Sequence, residues 1–395
     1  MTDLIEKADK VIATTYGRFP IVLTHGKGCT LYDNKGKAYT DFVAGIAVCN
    51  LGHAHAGIAK VLADQAERLV HVSNLYYTEP QIALAEWLVE HSFADRVFFC
   101  NSGAEANEGA VKLARRYGKL HLNGAYEVIT ANNSFHGRTL AMVAASGQAK
   151  FQKPYTPLPV GFVNVAYSDV KAIKAATTSQ TCAVMLEPLQ GEGGVNMPDE
   201  GYLAMVQDWC RKKGILFILD EIQTGLGRTG TLFAYEQYGV EPDIMTLAKG
   251  LASGLPIGAI LAKDSASVFS LGEHGSTFGG SPLACAAGYA TLKFILENDI
   301  AGNAGRVGEY LASGLRKLGQ RFTFVSDVRG RGLLAAMEFS RDIAESVVST
   351  CLERGLLVNK LKPNALRFMP PLIIGNSEVD EALAILETVL ASVEN

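Results

Sequence analysis

The chain has 395 residues, 48% of them hydrophobic and 19% charged, which is enough apolar material for one large domain or two with a sizeable core. A net charge of −4 and a pI near 6.1 leave no electrostatic footprint for nucleic acid or an anionic membrane. Seven scattered cysteines without a C-x-x-C pair argue against a disulfide framework or structural zinc, so the expectation is a cytoplasmic protein with no metal site.

The opening, MTDLIEKADK, alternates charges and lacks the apolar core of a signal peptide. Its helix ends before Arg18-Phe-Pro. The pieces IVLTHG, CTLYD and AYTDFV, separated by turns at His25-Gly-Lys-Gly and Asp33-Asn-Lys-Gly, predict a small antiparallel sheet. A loop with His53 and His55 follows; with no third ligand nearby, turn-forming histidines fit better than a metal pair. The longest uncharged run, 42–59, carries Asn50, both histidines and three glycines, so it is not a membrane span. Helical periodicity covers 56–72, with Ile58, Val61, Leu62, Ala66 and Leu69 on one face, and 79–92, where Pro80 sits early as helix starts prefer.

From residue 96 strands alternate with helices: RVFFCNS, YEVITANNS, TCAVMLEPLQ, GILFILDEIQ, DIMTLAKG and GAILAK. Runs such as VFF, AVML and LFIL are apolar throughout, as parallel strands buried on both faces are. The expected fold class is α/β: a large domain with a mostly parallel central sheet flanked by helices, plus a smaller C-terminal α/β domain. A long helix over 281–298 leaves the large domain. Beyond it the order is helix, strand (322–325), strand (332–339), helix, strand, helix. The expected boundaries are an N-terminal segment 1–54 packing with the small domain, a large cofactor-binding domain 55–290 and a small domain 291–395.

Ligands of such sheets bind at the carboxyl ends of the strands, where several motifs collect. Ser102-Gly-Ala-Glu opens a helix, so its free backbone N–H groups suit a phosphate, although Ser102 serves equally as an ordinary N-cap. Arg138 follows Phe135 just past a strand; it can grip a carboxylate while the ring stacks on a flat ligand, or it can simply be solvated. Asp220-Glu221 ends ILFIL like the acid of a nucleotide hydrolase, but no Gly-x-x-x-x-Gly-Lys-Ser/Thr loop precedes it. The letters Gly225-Leu-Gly227-Arg-Thr-Gly230 match a dinucleotide fingerprint without its strand-to-helix context and read as a flexible loop. Lys249 is the one charged residue between Ile244 and Ala262; burial there lowers a lysine's pKa and makes it a nucleophile and base, where a lysine reaching solvent would be neither. Phosphate cradle, aromatic platform, acid, arginine and lysine together fit pyridoxal 5'-phosphate.

With Asn50-Leu-Gly-His, Ser102–Glu108, Phe135-His-Gly-Arg-Thr, Glu187-Pro-Leu-Gln-Gly-Glu-Gly-Gly, Leu219-Asp-Glu-Ile-Gln-Thr-Gly, Leu247-Ala-Lys-Gly, His274-Gly-Ser-Thr-Phe-Gly-Gly and Leu366-Arg-Phe-Met-Pro-Pro-Leu in this order, nearly the whole chain resembles the class III, fold-type I aminotransferases. The resemblance implies that Lys249 carries the cofactor and moves the substrate proton. Asp220 would pair with the pyridinium nitrogen, Gln223 with the phenolic oxygen, and Ser102, Gly103 and Ala104 with the phosphate, while Phe135 stacks on the ring. Thr277 would reach the phosphate of a neighbouring subunit, implying a homodimer with shared active sites. Arg138 would bind the α-carboxylate of acetylornithine, Ser276 would lie near the substrate, and Arg367 would bind the α-carboxylate of glutamate, paired with Glu192 when none is present. The implied reaction moves the δ-amino group of N2-acetyl-L-ornithine to 2-oxoglutarate in arginine biosynthesis, giving N-acetyl-L-glutamate 5-semialdehyde and L-glutamate. Ornithine, N-succinylornithine, N-succinyldiaminopimelate and 4-aminobutyrate are the alternative donors. A non-transaminating aminomutase or decarboxylase, or a non-catalytic binding protein, shares the fold without the keto-acid requirement.

Overall fold

In the computed structural model, which describes residues 2–394, the strands form three sheets. The first begins with β1 (Leu23–Lys27), β2 (Thr30–Asp33) and β3 (Ala38–Asp41), an antiparallel meander as expected. Its second turn is fixed by Asp33, whose Oδ1 accepts from Lys35 N (2.8 Å) and Lys37 N (2.9 Å), the local bond that makes aspartate a turn former.

The second sheet holds β4 (Arg96–Cys100), β5 (Glu127–Ala131), β6 (Phe162–Val165), β7 (Thr181–Leu186), β8 (Leu216–Asp220), β9 (Ile244–Leu247) and β10 (Gly258–Ala262). Their spatial order is β4-β10-β9-β8-β7-β5-β6. Strand β10 is antiparallel to both neighbours; the pairs β5–β6, β5–β7, β7–β8 and β8–β9 are parallel. Every residue of β7, β8, β9 and β10 is buried, which explains their unbroken apolar sequences. Edge strand β6 has no such signal: FVNV is only half-buried, and it is absent from the expected strand runs.

The third sheet, β11 (Val325–Arg331), β12 (Leu334–Phe339), β14 (Asn359–Lys362) and β15 (Ala365–Phe368), is antiparallel in the order β11-β12-β15-β14. The intervening β13 (Leu356–Leu357) instead pairs in parallel with β3, and Thr40 N donates to Gly355 O (2.8 Å). Three strands therefore stand where one was expected. The expected strand at 322–325 is displaced too: Phe322 and Phe324 are buried in the turn after helix Ile300–Arg321, and pairing starts at Val325.

Helix Gly103–His121 packs on β9 and β10. Its close approach needs small residues; a Cβ on Gly118 would lie 2.0 Å from Ala125 O. Helix Ala56–Ala66 ends earlier than its periodicity suggested, leaving Leu69 and Val70 exposed. Helix Pro282–Glu297 packs on helices Ala56–Ala66 and Glu79–Glu90. Among the described residues no helix is long and apolar enough to cross a membrane, and no group of three metal-ligating side chains occurs.

Candidate active site

The carboxyl ends of β4, β5, β7, β8 and β9 open onto one cavity of about 420 Å³. After β4, Ser102 caps helix Gly103–His121: its Oγ accepts from Glu105 N (3.2 Å), and Glu105 Oε2 reaches back to Asn101 N (3.0 Å). This reciprocal arrangement fixes the helix start. Ser102, Gly103 and Ala104 line the cavity, so the unbonded N–H groups of the first turn and the positive end of the helix dipole belong to its wall.

Opposite lies Asp220 at the end of β8, buried to 3% exposure. Its Oδ2 accepts from Asn107 Nδ2 (2.7 Å) and lies 2.7 Å from His136 Nδ1; its Oδ1 accepts from Ile222 N (3.0 Å). Asn107 is itself held by Thr246 Oγ1, which donates to Asn107 Oδ1 (2.7 Å), and by its own bond to His136 O (2.8 Å). Burial opposes protonation of His136, yet the hydrogen bond and charge of Asp220, with Glu187 behind, carry its pKa upward. Asn107 and His136 both lie inside motifs read from the sequence, but without assigned roles. The available signal was a polar residue one turn into a helix whose neighbours, Ala106 and Ala110, are apolar.

Lys249 projects from the turn after β9. It is partly open to the cavity and otherwise enclosed by protein. Its φ of 45° is a left-handed conformation that a non-glycine residue adopts at some cost. Burial and the positive charge of Arg367 draw its pKa from 10.5 down to about 8, against Asp220, Glu192 and Glu187. Glu187, after β7, accepts from Phe135 N (3.2 Å); burial raises its pKa well above the carboxylate range.

Phe135 and Arg138 line the cavity after β5. The guanidinium of Arg138 lies 4.1 Å from the ring centre of Phe151 and 5.4 Å from that of Phe135, contacts that orient a cation without neutralising it. On the other flank Glu192 Oε2 pairs with Arg367 Nη2 (2.9 Å), while Arg367 Nη1 donates to Gly191 O (3.0 Å) and Gln223 Oε1 (3.3 Å). Arg367, on β15, is 2% exposed; burial pulls its pKa down against the pull of Glu192. Gly191 is required beside Gln223, because a Cβ there would lie 1.8 Å from Oε1.

Nine of the singled-out residues thus line the walls of one cavity: Ser102, Gly103, Ala104, Phe135, Arg138, Glu192, Asp220, Gln223 and Lys249. Arg367 stands directly behind Glu192 and Gln223. Ser276 is one step removed; its Oγ accepts from Asn101 Nδ2 (3.1 Å) and Gly279 N (3.0 Å). Thr277 is exposed and does not line this cavity. The glycine-rich stretch read as a flexible loop is instead a buried run of turns, with Gly225, Leu226, Gly227, Arg228 and Thr229 all inaccessible. Fingerprint letters cannot distinguish the two, because burial of this segment depends on distant chain packing over it.

The chain is 52% identical over 379 residues to the acetylornithine aminotransferase of Gloeobacter violaceus, covering 95% of each chain. Its fold is similar to the ornithine aminotransferase of Toxoplasma gondii ME49, with a TM-score of 0.96 at 35% identity over 99% of this chain and 95% of that one. A second structure of the T. gondii enzyme, with a TM-score of 0.95 at 35% identity over 99% and 94%, has partial occupancy of pyridoxal phosphate at its active site. The sequence profile "Aminotransferase class-III" matches residues 11–390, and on that span, with a strand-end lysine and acid facing one cavity, this chain belongs to the class-III aminotransferase family.

Proposed function

We propose that the chain transfers the δ-amino group of N2-acetyl-L-ornithine to 2-oxoglutarate in arginine biosynthesis, yielding N-acetyl-L-glutamate 5-semialdehyde and L-glutamate. The observation that carries the reading is the Glu192–Arg367 pair beside Lys249 with Arg138 across the cavity. Glutamate brings an α-carboxylate to the reacting carbon, whereas the δ-carbon of acetylornithine has none. An arginine that a neighbouring carboxylate can neutralise suits both halves of the reaction, and Arg138 is available for the distant α-carboxylate of the longer substrate. The 52% identity to an acetylornithine aminotransferase supports this donor over the alternatives.

The residues fit pyridoxal 5'-phosphate. The helix start at Ser102, Gly103 and Ala104 would hold the phosphate, Phe135 would lie against the ring, Asp220 would take the ring nitrogen, Gln223 the phenolic oxygen and Lys249 the aldehyde carbon. When bound, the cofactor supplies an electron-withdrawing ring and a carbonyl that takes up the amine. Asn107 and His136 keep the Asp220 carboxylate aimed into the cavity. Lys249 Nζ, with a pKa near 8, takes the proton from the amine-bearing carbon and returns it.

A homodimer with shared sites completes this reading, Thr277 of one subunit reaching the phosphate in the other's site. Supporting it, Leu75, Tyr76, Tyr77 (94% exposed) and Phe278 are exposed, and Asn74 Nδ2 ties their two segments by donating to Ser276 O (3.1 Å) and Gly279 O (2.9 Å). An exposed apolar patch of this kind marks an association surface. Seven unpaired thiols suit a cytoplasmic setting.

The test is kcat/KM with 2-oxoglutarate for acetylornithine, free ornithine, N-succinylornithine, N-succinyldiaminopimelate and 4-aminobutyrate. Acetylornithine is expected to lead. A clear lead for ornithine would overturn the donor, and turnover without any keto acid would overturn transamination.

A further inference from the structure

Arg228 lies in the glycine-rich run that the proposed chemistry does not use. With Arg367 it is among the largest fully buried side chains of the described residues, 1% exposed. Among the described residues it makes no ion pair. Its Nη1 donates to Leu333 O (3.0 Å) and Pro370 O (2.5 Å), its Nη2 donates to Asn50 Oδ1 (3.0 Å), and its Nε has no partner. A guanidinium buried among neutral acceptors is unfavourable compared with an apolar side chain of equal volume, so packing alone does not account for it. Its contacts join two separate parts of the chain. Leu333 immediately precedes β12, and Pro370 follows Arg367 by three residues. Leu333 N also donates to Arg228 O (3.0 Å).

Asn50 is the other end of the link. It is 1% exposed, its Nδ2 donates to Leu226 O (3.2 Å), and its own carbonyl accepts from Leu372 N (2.7 Å). The amide is pressed against the residue after the lysine: a Cβ at Gly250 would lie 2.1 Å from Asn50 Nδ2. The following residue, Leu51, donates its N–H to Ser253 Oγ (3.2 Å). The turn that carries Lys249 is thus backed at Gly250 and at Ser253. Both Lys249 (φ 45°) and Ser253 (φ 43°) are left-handed, and strained backbone of this kind persists only where its surroundings over-determine it.

We infer that Arg228 is a positioning residue that acts through Asn50: it clamps the strained Lys249 turn to the strand bearing Arg367, so that the lysine and the arginine keep their separation across the cavity. The link runs Gly250, Asn50, Arg228, Pro370. It assigns a role to the stretch 225–230, against which Gly332 packs closely; a Cβ at Gly332 would lie 2.6 Å from Arg228 O. The lysine half of the inference stands on geometry alone. The Arg367 half rests on the proposed function.

Two variants read the two ends in protein loaded with pyridoxal phosphate. Asn50→Asp keeps volume and the Arg228 acceptor and supplies a counter-ion, at the cost of the bond to Leu226 O, and it places a carboxylate beside Gly250. The charges already facing Lys249 are Arg367, Asp220, Glu192 and Glu187. An added anion favours the protonated form, and the pH midpoint of the visible cofactor band is expected to rise by about one unit. Arg228→Lys keeps charge but cannot reach Asn50 and Pro370 together. It is expected to raise KM for 2-oxoglutarate and lower kcat about tenfold, a change in transition-state as well as ground-state contacts. A folded Asn50→Asp protein with an unshifted midpoint overturns the inference. So does an Arg228→Lys protein that loses stability in urea while its KM and kcat stay unchanged; if that variant fails to fold, the Asn50→Asp midpoint decides alone. If the donor panel fails while the midpoint shifts, the proposed substrate falls and the clamp stands.

Discussion

Lys249 concentrates the site's chemistry in one side chain, and its environment sets when it can act. Burial and Arg367 bring its pKa to about 8. The sign is that of a depressed base: the unfolded chain holds the proton more tightly, so neutral Lys249 accumulates in the folded protein as pH rises through about 8, and the stability lost to burying the charge returns between there and 10.5. In cofactor-free protein, acylation of Lys249 followed by peptide mass spectrometry should reach its half-maximum near pH 8. A half-maximum reached only near 10.5 would show a solvent-like lysine. His53 is shifted the other way. Asp41 Oδ2 at 2.7 Å raises its pKa to about 9, helped by Cys49 and opposed by burial. Its contribution to stability is full below the unfolded value of 6.5 and is lost as pH climbs through about 9. Because the ring is partly solvated, the effect should be about 1 kcal/mol. His53→Gln should flatten that decline in urea unfolding measured from pH 6 to 10, and an unchanged slope would remove the assignment. Of the two histidines expected to be turn-forming, His53 meets Asp41 from a bridge with Gly28, and His55 Nδ1 accepts from Ile58 N (3.3 Å) at a helix start.

Helix Gly103–His121 shows how one element is read in part. Its start was legible, because a serine followed three residues later by a glutamate is a local signal with a local cause. Ser102→Ala should cost about 1 kcal/mol of stability. Because the same turn faces the cavity, it should also speed release of pyridoxal phosphate, measured by loss of the visible band on dilution. Unchanged release with lowered stability would confine Ser102 to capping. The far end of the helix was not legible. Gly118 looks like a helix weakener in sequence, yet the strand connection at Ala125 leaves it no room for a methyl group. The same division runs through the strands. Uniformly apolar β7 and β8 declare themselves, whereas FVNV in β6 and the short strands after helix Ala344–Glu353 gain their identity only from partners far along the chain.

For the whole molecule, the feature to account for is an apolar surface left open on a single chain. Leu75, Tyr77 and Phe278 are 82%, 94% and 64% exposed, and Thr277 adjoins Phe278. A second copy seated there would cover the patch and bring Thr277 to the neighbouring cavity. Tyr77→Glu is expected to shift the protein from dimer to monomer in analytical ultracentrifugation and to weaken cofactor retention with it. A dimer of unchanged stability would place the contact elsewhere.

The sequence by itself determined the alternation of buried strands and helices, and it placed an acid and a lysine at strand ends. Both are set by short-range rules: burial on two faces demands unbroken apolar runs, and a parallel sheet opens its ligand site at one edge. It also singled out Arg138, whereas Glu192 and Arg367 came only with the family resemblance. Only the tertiary structure decided which neighbours steady Asp220, how Arg367 meets Glu192 from a strand in another sheet, and that Arg228 is buried rather than carried on a loose loop. Those outcomes depend on contacts between residues more than a hundred positions apart, Arg228 with Leu333 and Pro370 or Asn107 with Asp220. Such contacts leave no periodicity or spacing for a local reading to find.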